Sequence, residues 1–309
     1  MSNQNNIKLS PNFVTGFTEG DGCFRVKIFK MRASKIGWTV QAVYTISLKK
    51  TDVVLLEQIQ SFFGGVGKIS FDKNNNAFNY TVSSLKDLTN VIIPHFLKYP
   101  LISQKRADLE LFKMIIELMN KKEHLTMDGL QRIVSIRASM NNGLSDELKV
   151  AFPNIKPISR PEVESTKIPD PNWLAGFTEG EGCFEVKISK SKTSKTGSKV
   201  ELRLRLAQHS RDHLLIKSLV QYFACGIYSE SSSQGALMSI FTVTKFKDLV
   251  EKIIPFFDLF PLQGIKRLDY ADFSKVANLM KNKAHLTQEG LDLIREIKAG
   301  MNTGRNNSQ

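Results

Sequence analysis

Cysteine is scarce in this 309-residue chain: Cys23, Cys183 and Cys225 are too few for a disulfide framework, and none stands in a CxxC spacing. A reducing compartment and no structural zinc are expected. Histidine is almost as rare, and His95, His124, His209, His213 and His285 show no HExxH or other metal-ligand spacing. No apolar run approaches the roughly 18 residues needed to span a bilayer, so no membrane partner is expected. The opening MSNQNNIKLS lacks the core of a signal peptide, which places the protein where it is made or makes it imported without an evident tag. Acidic residues are in deficit, 30 against 43 Lys and Arg, and the net charge of +13 favours a polyanionic partner, nucleic acid first.

What is present is a globular composition, 41% hydrophobic and 24% charged, at a length that suits two domains of roughly 150 residues. A repeat gives those domains shape. Gly16-Phe17-Thr18-Glu19-Gly20 returns as Gly176-Phe177-Thr178-Glu179-Gly180, an offset of 160. Further on, Ile92-Ile93-Pro94, Lys105-Arg106, His124-Leu125-Thr126 and Met140-Asn141 all return at an offset of 161, so one residue is gained on the way. Two copies of this length read as a duplicated domain rather than a solenoid. The expected division is an N-terminal half over 1–142, a Pro-rich linker over 143–169 and a C-terminal half over 170–309. Pro153, Pro157, Pro161 and Pro169 predict a stiff, extended linker.

Within each half, Ser10-Pro11 and Asp170-Pro171 open a helix as N-cap and first-turn proline, and Gly22 and Gly182 suit its stop. Period-two alternation follows in CFRVKIFKM and CFEVKISK, then in WTVQAVYTISLKK and KVELRLRLAQHS, with Val40, Ala42, Tyr44 and Ile46 on the apolar side. A helix near 52–63, a hairpin at Asn74-Asn75-Asn76, and helices near 86–98, 102–120 and 127–141 complete the half. The second hairpin turns at SSSQG, residues 231–235. Each half is therefore an α+β unit, αββαββα with a further helix, whose antiparallel sheet packs helices on one face and leaves the other free.

The repeated helix carries glycines four apart, Gly16 and Gly20 or Gly176 and Gly180, so two such helices can approach closely. Side by side they would bring Asp21 and Glu181 together at their C-terminal ends, against the helix dipole and against each other. One acid at a helix end is ordinarily a solvated residue; two at matching positions suggest carboxylates held for a cation beside phosphate. Metal-assisted phosphodiester hydrolysis is the chemistry such a pair supports. Glu19 and Glu179, two residues earlier, read as structural.

These segments, GFTEGDG and LAGFTEGEG, resemble the motif of the LAGLIDADG homing endonucleases, and their duplication in a basic, strand-rich chain is similar to the monomeric, double-motif members encoded in organellar introns. The resemblance covers nearly the whole chain. It implies two αββαββα units with saddle-shaped antiparallel sheets and a two-helix LAGLIDADG interface. It also implies double-strand cleavage of DNA across the minor groove, leaving 3′ overhangs, by a monomer acting on a long asymmetric site in mitochondria. Mg²⁺ is the implied cofactor, with Mn²⁺ or Ca²⁺ able to take the same place. The metal residues would be Asp21 and Glu181 with Gly20 and Gly180, and Gln208, Lys105 and Lys266 would join the two carboxylates in catalysis.

On the free sheet faces, the residues placed to meet DNA are Arg25, Lys27, Gln41, Thr45, Lys68 and Ser70 in the first half. Lys187, Ser189, Arg203 and Arg205 take that place in the second. The halves differ in two places near the motif: Asp21 is one methylene shorter than Glu181, and Leu48 stands where the second half has Gln208. Two alternatives stay open, an RNA maturase assisting intron splicing and a DNA-binding regulator without catalysis.

Overall fold

The computed structural model describes residues 8–163, 167–233 and 235–307. Residues 1–7 of the opening segment, 164–166 of the expected linker and Gln234 of the second hairpin turn lie outside the described residues. The chain divides into two compact units, Met1–Thr166 and Lys167–Gln309.

In the first unit the motif helix α1 (Pro11–Asp21) runs directly into β1 (Gly22–Lys30), which pairs with β2 (Trp38–Lys49). Helix α2 (Val53–Phe62) leads to β3 (Lys68–Asp72) and β4 (Ala77–Val82), and the antiparallel sheet has the order β1-β2-β4-β3. Alternation decides the faces: Phe24, Val26 and Ile28 on β1 and Val40, Ala42, Tyr44 and Ile46 on β2 are buried. Phe24 is a hub of that core, its ring 5.3–5.5 Å from Phe96, Tyr44 and Phe112.

The helical half of the unit starts with α3 (Leu85–Asp87) and α4 (Ile93–Lys98), joined without a break by a π-helical turn at Leu88–Ile92. Pro94 explains that turn, because proline has no N–H to offer the preceding turn and its ring crowds the carbonyl there. Helices α5 (Lys105–Asn120) and α6 (Met127–Ala138) follow. Gly129 in α6 is required by space, since a Cβ there would lie 2.1 Å from the Glu123 carbonyl oxygen.

The second unit repeats this order. Helix α7 (Asp146–Ala151) precedes it, and α8 (Pro171–Glu181), β5 (Gly182–Lys190), β6 (Ser198–His209), α9 (His213–Phe223), β7 (Ile227–Ser233) and β8 (Ala236–Val243) build the sheet β5-β6-β8-β7. Helices α10 (Phe246–Asp248), α11 (Ile254–Leu259), α12 (Lys266–Lys281), α13 (Gln288–Ala299) and α14 (Thr303–Asn307) complete it. A π-helical turn at Leu249–Ile253 again precedes the proline, Pro255.

Two expectations change. The one-residue gain between the repeats is a net value: the connection into β7 is one residue shorter than that into β3, and the β7–β8 hairpin is two residues longer. The segment 143–169 is not simply extended, because α7 forms within it and Arg160 is tied to the first unit. The Arg160 guanidinium reaches both carboxylate oxygens of buried Asp108 at 2.8 and 3.1 Å and also donates to the Ser139 and Gln104 carbonyls. Prolines stiffen that stretch, but a bidentate ion pair with a buried acid decides where it lies. In the second unit Arg305 serves Asp269, the counterpart of Asp108.

Candidate functional site

Both motif helices end in the same way. Gly22 and Gly182 are extended, with φ −81° and −83°, so neither supplies the left-handed residue that a glycine stop suggests. Glycine is needed there for space: a Cβ on either would fall 2.5 Å from Cγ2 of Thr18 or Thr178. Lysine binds the carbonyls at these ends, beside the Gly22 and Gly182 N–H groups that donate to Thr18 and Thr178. Lys105 Nζ donates to the carbonyls of Gly22 (2.6 Å), Thr18 (2.8 Å) and Gly20 (3.2 Å), and Lys266 Nζ to those of Gly180 (3.0 Å) and Thr178 (3.2 Å). An ammonium at this point offsets the partial negative charge of the helix end, which makes an acid tolerable as the last helical residue.

Glu19 and Glu179 face inward and bind backbone. Buried Glu19 accepts hydrogen bonds from the N–H of Ile102 and Ser103 and from the Ser103 hydroxyl, so it organises the turn that starts α5. Burial pushes its carboxyl up, against those bonds and the charge of Lys105. Glu179 accepts from the N–H of Gln263 (2.8 Å) and Gly264 (3.0 Å) in the same way. Each of these acids thereby fixes the turn that carries Lys105 or Lys266 to its helix end. The sequence identified them as structural; the partner they hold is the loop rather than another helix.

Asp21 and Glu181 are half-exposed at the ends of α1 and α8. Gln208, on the last turn of pleat in β6, donates from Nε2 to Glu181 Oε1 at 3.0 Å. Gln208 lies in register with Ser239, and Ser239 with Glu230, so one row of the inward sheet face is polar, and Tyr228 Oη joins it by bonds to Glu230 (2.6 Å) and Ser239 (3.1 Å). The matching row of the first unit is Leu48, Phe78 and Phe71. The side chain and backbone oxygens at each helix end, carboxylate plus the Gly20 or Gly180 carbonyl, are a hard donor set that fits Mg²⁺, Mn²⁺ or Ca²⁺. Each carbonyl keeps a second lone pair beside the bond from lysine.

The register also gathers the expected DNA-facing residues. Cys23, Arg25 and Lys27 oppose Thr45, Val43 and Gln41, and Thr45 and Ser47 continue through Thr81 and Asn79 to Lys68 and Ser70. All six first-unit candidates therefore share the face away from the core. In the second unit Lys187, Ser189, Arg203 and Arg205 likewise share one face. Two of these ten are engaged within the protein: Arg203 grips Glu185 from Nε (2.9 Å) and Nη2 (2.5 Å), and Thr45 donates to the Tyr80 carbonyl at 3.1 Å. Ser47, Lys49, Asn79 and Thr81 belong to the same face and were missed, although carrying the period of two to the end of β2 and through β4 would have found them.

Among the described residues, no group of three or more His, Cys, Asp or Glu gathers as a metal cluster, and no helix is long and apolar enough to cross a membrane. Cys183 is pushed up by burial and donates weakly to Asn302 Oδ1 at 3.8 Å, as a packed thiol rather than a reactive one.

Comparison with known proteins agrees with this geometry. A family model described as LAGLIDADG endonuclease matches residues 14–116 and again 174–277. A Neurospora crassa protein named "Probable intron-encoded endonuclease 2" is 42% identical over 300 residues, covering 94% of this chain and 64% of that protein. "Probable intron-encoded endonuclease 3" of the same organism is 38% identical, covering 93% and 54%. The chain thus spans less than two thirds of the length of these two relatives. Against a solved structure of I-SmaMI bound to uncleaved DNA target in the presence of calcium ions, the TM-score is 0.92 at 45% identity, covering 95% of this chain and 99% of that one. With one family model matched once in each repeated unit, over the motif helix and the sheet that follows it, the chain belongs to the LAGLIDADG endonuclease family.

Proposed function

We propose that this protein is a site-specific DNA endonuclease that hydrolyses both strands of a long, asymmetric duplex site across the minor groove and leaves 3′ overhangs. It acts as a monomer, because both repeats lie in one chain. The observation that carries this reading is the repeated helix end: a half-exposed carboxylate next to a lysine-capped C-terminus, at the start of a sheet whose free face is lined with Arg, Lys and Gln.

Asp21 and Glu181, with the Gly20 and Gly180 carbonyls, would hold divalent metal, Mg²⁺ by preference. When bound, that ion polarises the scissile phosphate and lowers the pKa of water enough to supply hydroxide. Gln208 fixes the rotamer of Glu181, so that the carboxylate meets its task already oriented. Lys105 and Lys266 hold the helix-end carbonyls in place and set positive charge beside the phosphate that approaches them. Arg25, Lys27, Gln41, Thr45, Lys68 and Ser70, with Lys187, Ser189, Arg203 and Arg205, contact bases and backbone. Arg and Gln suit guanine and adenine edges, and Lys suits phosphate. Mitochondria are the proposed site of action, in keeping with relatives named as intron-encoded.

The maturase and regulator readings use the same basic surface but leave Asp21, Glu181 and Gln208 without a task. Selection of cleaved sites from a randomised duplex library in Mg²⁺ tests the proposal. Recovery of one long asymmetric site supports it, and recovery of none rejects it.

A further inference from the structure

The outer strands of the two sheets present unlike chemistry on the face that the proposed function assigns to DNA. In the second unit three cross-strand rows are Arg205–Thr242–Ile227, Ala207–Ile240–Ser229 and His209–Met238–Ser231. The matching first-unit rows are Thr45–Thr81–Lys68, Ser47–Asn79–Ser70 and Lys49–Ala77–Asp72. Lysine, asparagine and aspartate in one unit thus become isoleucine, isoleucine and serine in the other. Met238 is half-buried two rows nearer the hairpin, and Ile227 is 63% exposed where the first unit has Lys68. Exposed Arg205 shares its row, and that row also holds Cys183, two residues past Glu181, so the patch lies at the motif end of the sheet.

We propose that Ile227, with the Thr242 methyl beside it, reads thymine C5 methyl groups in the base pairs next to the cleavage position of the second unit's half-site. The reading rests on the proposed endonuclease function and adds to it a residue that determines specificity. Major-groove edges offer one apolar feature, the thymine methyl, and small aliphatic side chains are its complement. The basic neighbour Arg205 and the net charge of +13 favour a polyanion over a protein partner on this face.

The test uses the full chain and the duplex selected for cleavage, with thymine replaced by uracil one position at a time and affinity measured in Ca²⁺. Each contacted methyl removed from the second half-site weakens binding about fourfold, the worth of one buried methyl-sized group. Ile227→Ala gives a similar loss on the thymine duplex and little further loss on the uracil duplex. Equal affinity for uracil and thymine throughout, or losses from I227A and uracil that simply add, overturn the inference while the endonuclease function stands. Self-association of the free protein that Ile227→Ser abolishes assigns the patch to a second copy and also overturns it. Failure to recover any cleaved site rejects the function itself.

Discussion

Gln208 Nε2 donates to Glu181 Oε1 at 3.0 Å, and the position that matches Gln208 in the first unit is Leu48, a side chain with nothing to donate. The difference extends across the sheet, where Gln208, Ser239 and Glu230 replace Leu48, Phe78 and Phe71. The sheets that follow the two motif acids therefore differ at the matching row, and Asp21 is one methylene shorter than Glu181.

Unequal strand cleavage follows from this relationship. Time-resolved cutting of a supercoiled plasmid bearing the target will accumulate a nicked intermediate. Gln208→Leu will lower the rate at one strand by roughly 10- to 100-fold, the usual effect of removing a partner that orients a metal-binding side chain, and leave the other nearly unchanged. Strand-specific end labels separate the two; equal first and second cuts in the native protein contradict the prediction.

Removing the lysine caps will cost both stability and rate. Lys105→Met leaves three carbonyls at the end of α1 without their ammonium, and Lys266→Met leaves two at the end of α8. A hydrogen bond from a charged donor contributes roughly 1.5–3 kcal/mol, so K105M will be the more destabilising of the two. Chemical denaturation gives the order, and identical midpoints would show that the helix ends do not depend on these contacts.

Glu19 separates structure from catalysis. Glu19→Ala leaves two buried N–H groups of the α5 turn unmatched and will destabilise by about 2–4 kcal/mol, while Glu19→Gln keeps an acceptor and folds nearly as well. Cleavage by E19Q within a few-fold of the native rate fits the structural role. Complete loss of cleavage by a folded E19Q would mean that the acid itself takes part.

Acid sensitivity will come mainly from the first unit. His95 packs among Phe62, Phe63, Phe96 and Tyr99, and burial pushes its imidazole down to about 4. Its folded pKa lies below the unfolded value of about 6.5, so the unfolded chain binds the extra proton and stability falls as pH drops from about 6.5 towards 4. The loss approaches an order of 3 kcal/mol at the low end. At the matching position the second unit has Phe256, and Ala175 replaces Thr15, whose hydroxyl lies 3.1 Å from His95 Nε2. The double variant Thr15→Ala, His95→Phe will flatten the stability profile over that range; an unchanged profile would place the acid sensitivity elsewhere.

The sequence carried the repeat, the period-two strands and the motif carboxylates, because each is a local pattern written twice. Proline and aspartate gave the starts of α1 and α8, although only Asp170 caps with its side chain, accepting from the Asn172 N–H at 2.7 Å. The lysine caps were legible only as basic residues ahead of a long helix. Their task depends on the turn that Glu19 and Glu179 hold, 83 to 85 residues away in the chain. Arg160 was hidden for the same reason, since nothing near it in sequence announces Asp108. The Arg203–Glu185 pair could be seen only once the register set them opposite each other.

The central claim is metal-dependent hydrolysis by the two motif acids, and the most direct measurement is cleavage of the selected target by the native chain, Asp21→Asn and Glu181→Gln, each with Mg²⁺ and with EDTA. The account predicts a double-strand break with 3′ overhangs only for the native protein in Mg²⁺, with both variants still folded and still binding the duplex. Cleavage by a doubly substituted D21N/E181Q protein, or by the native protein in EDTA, would contradict it.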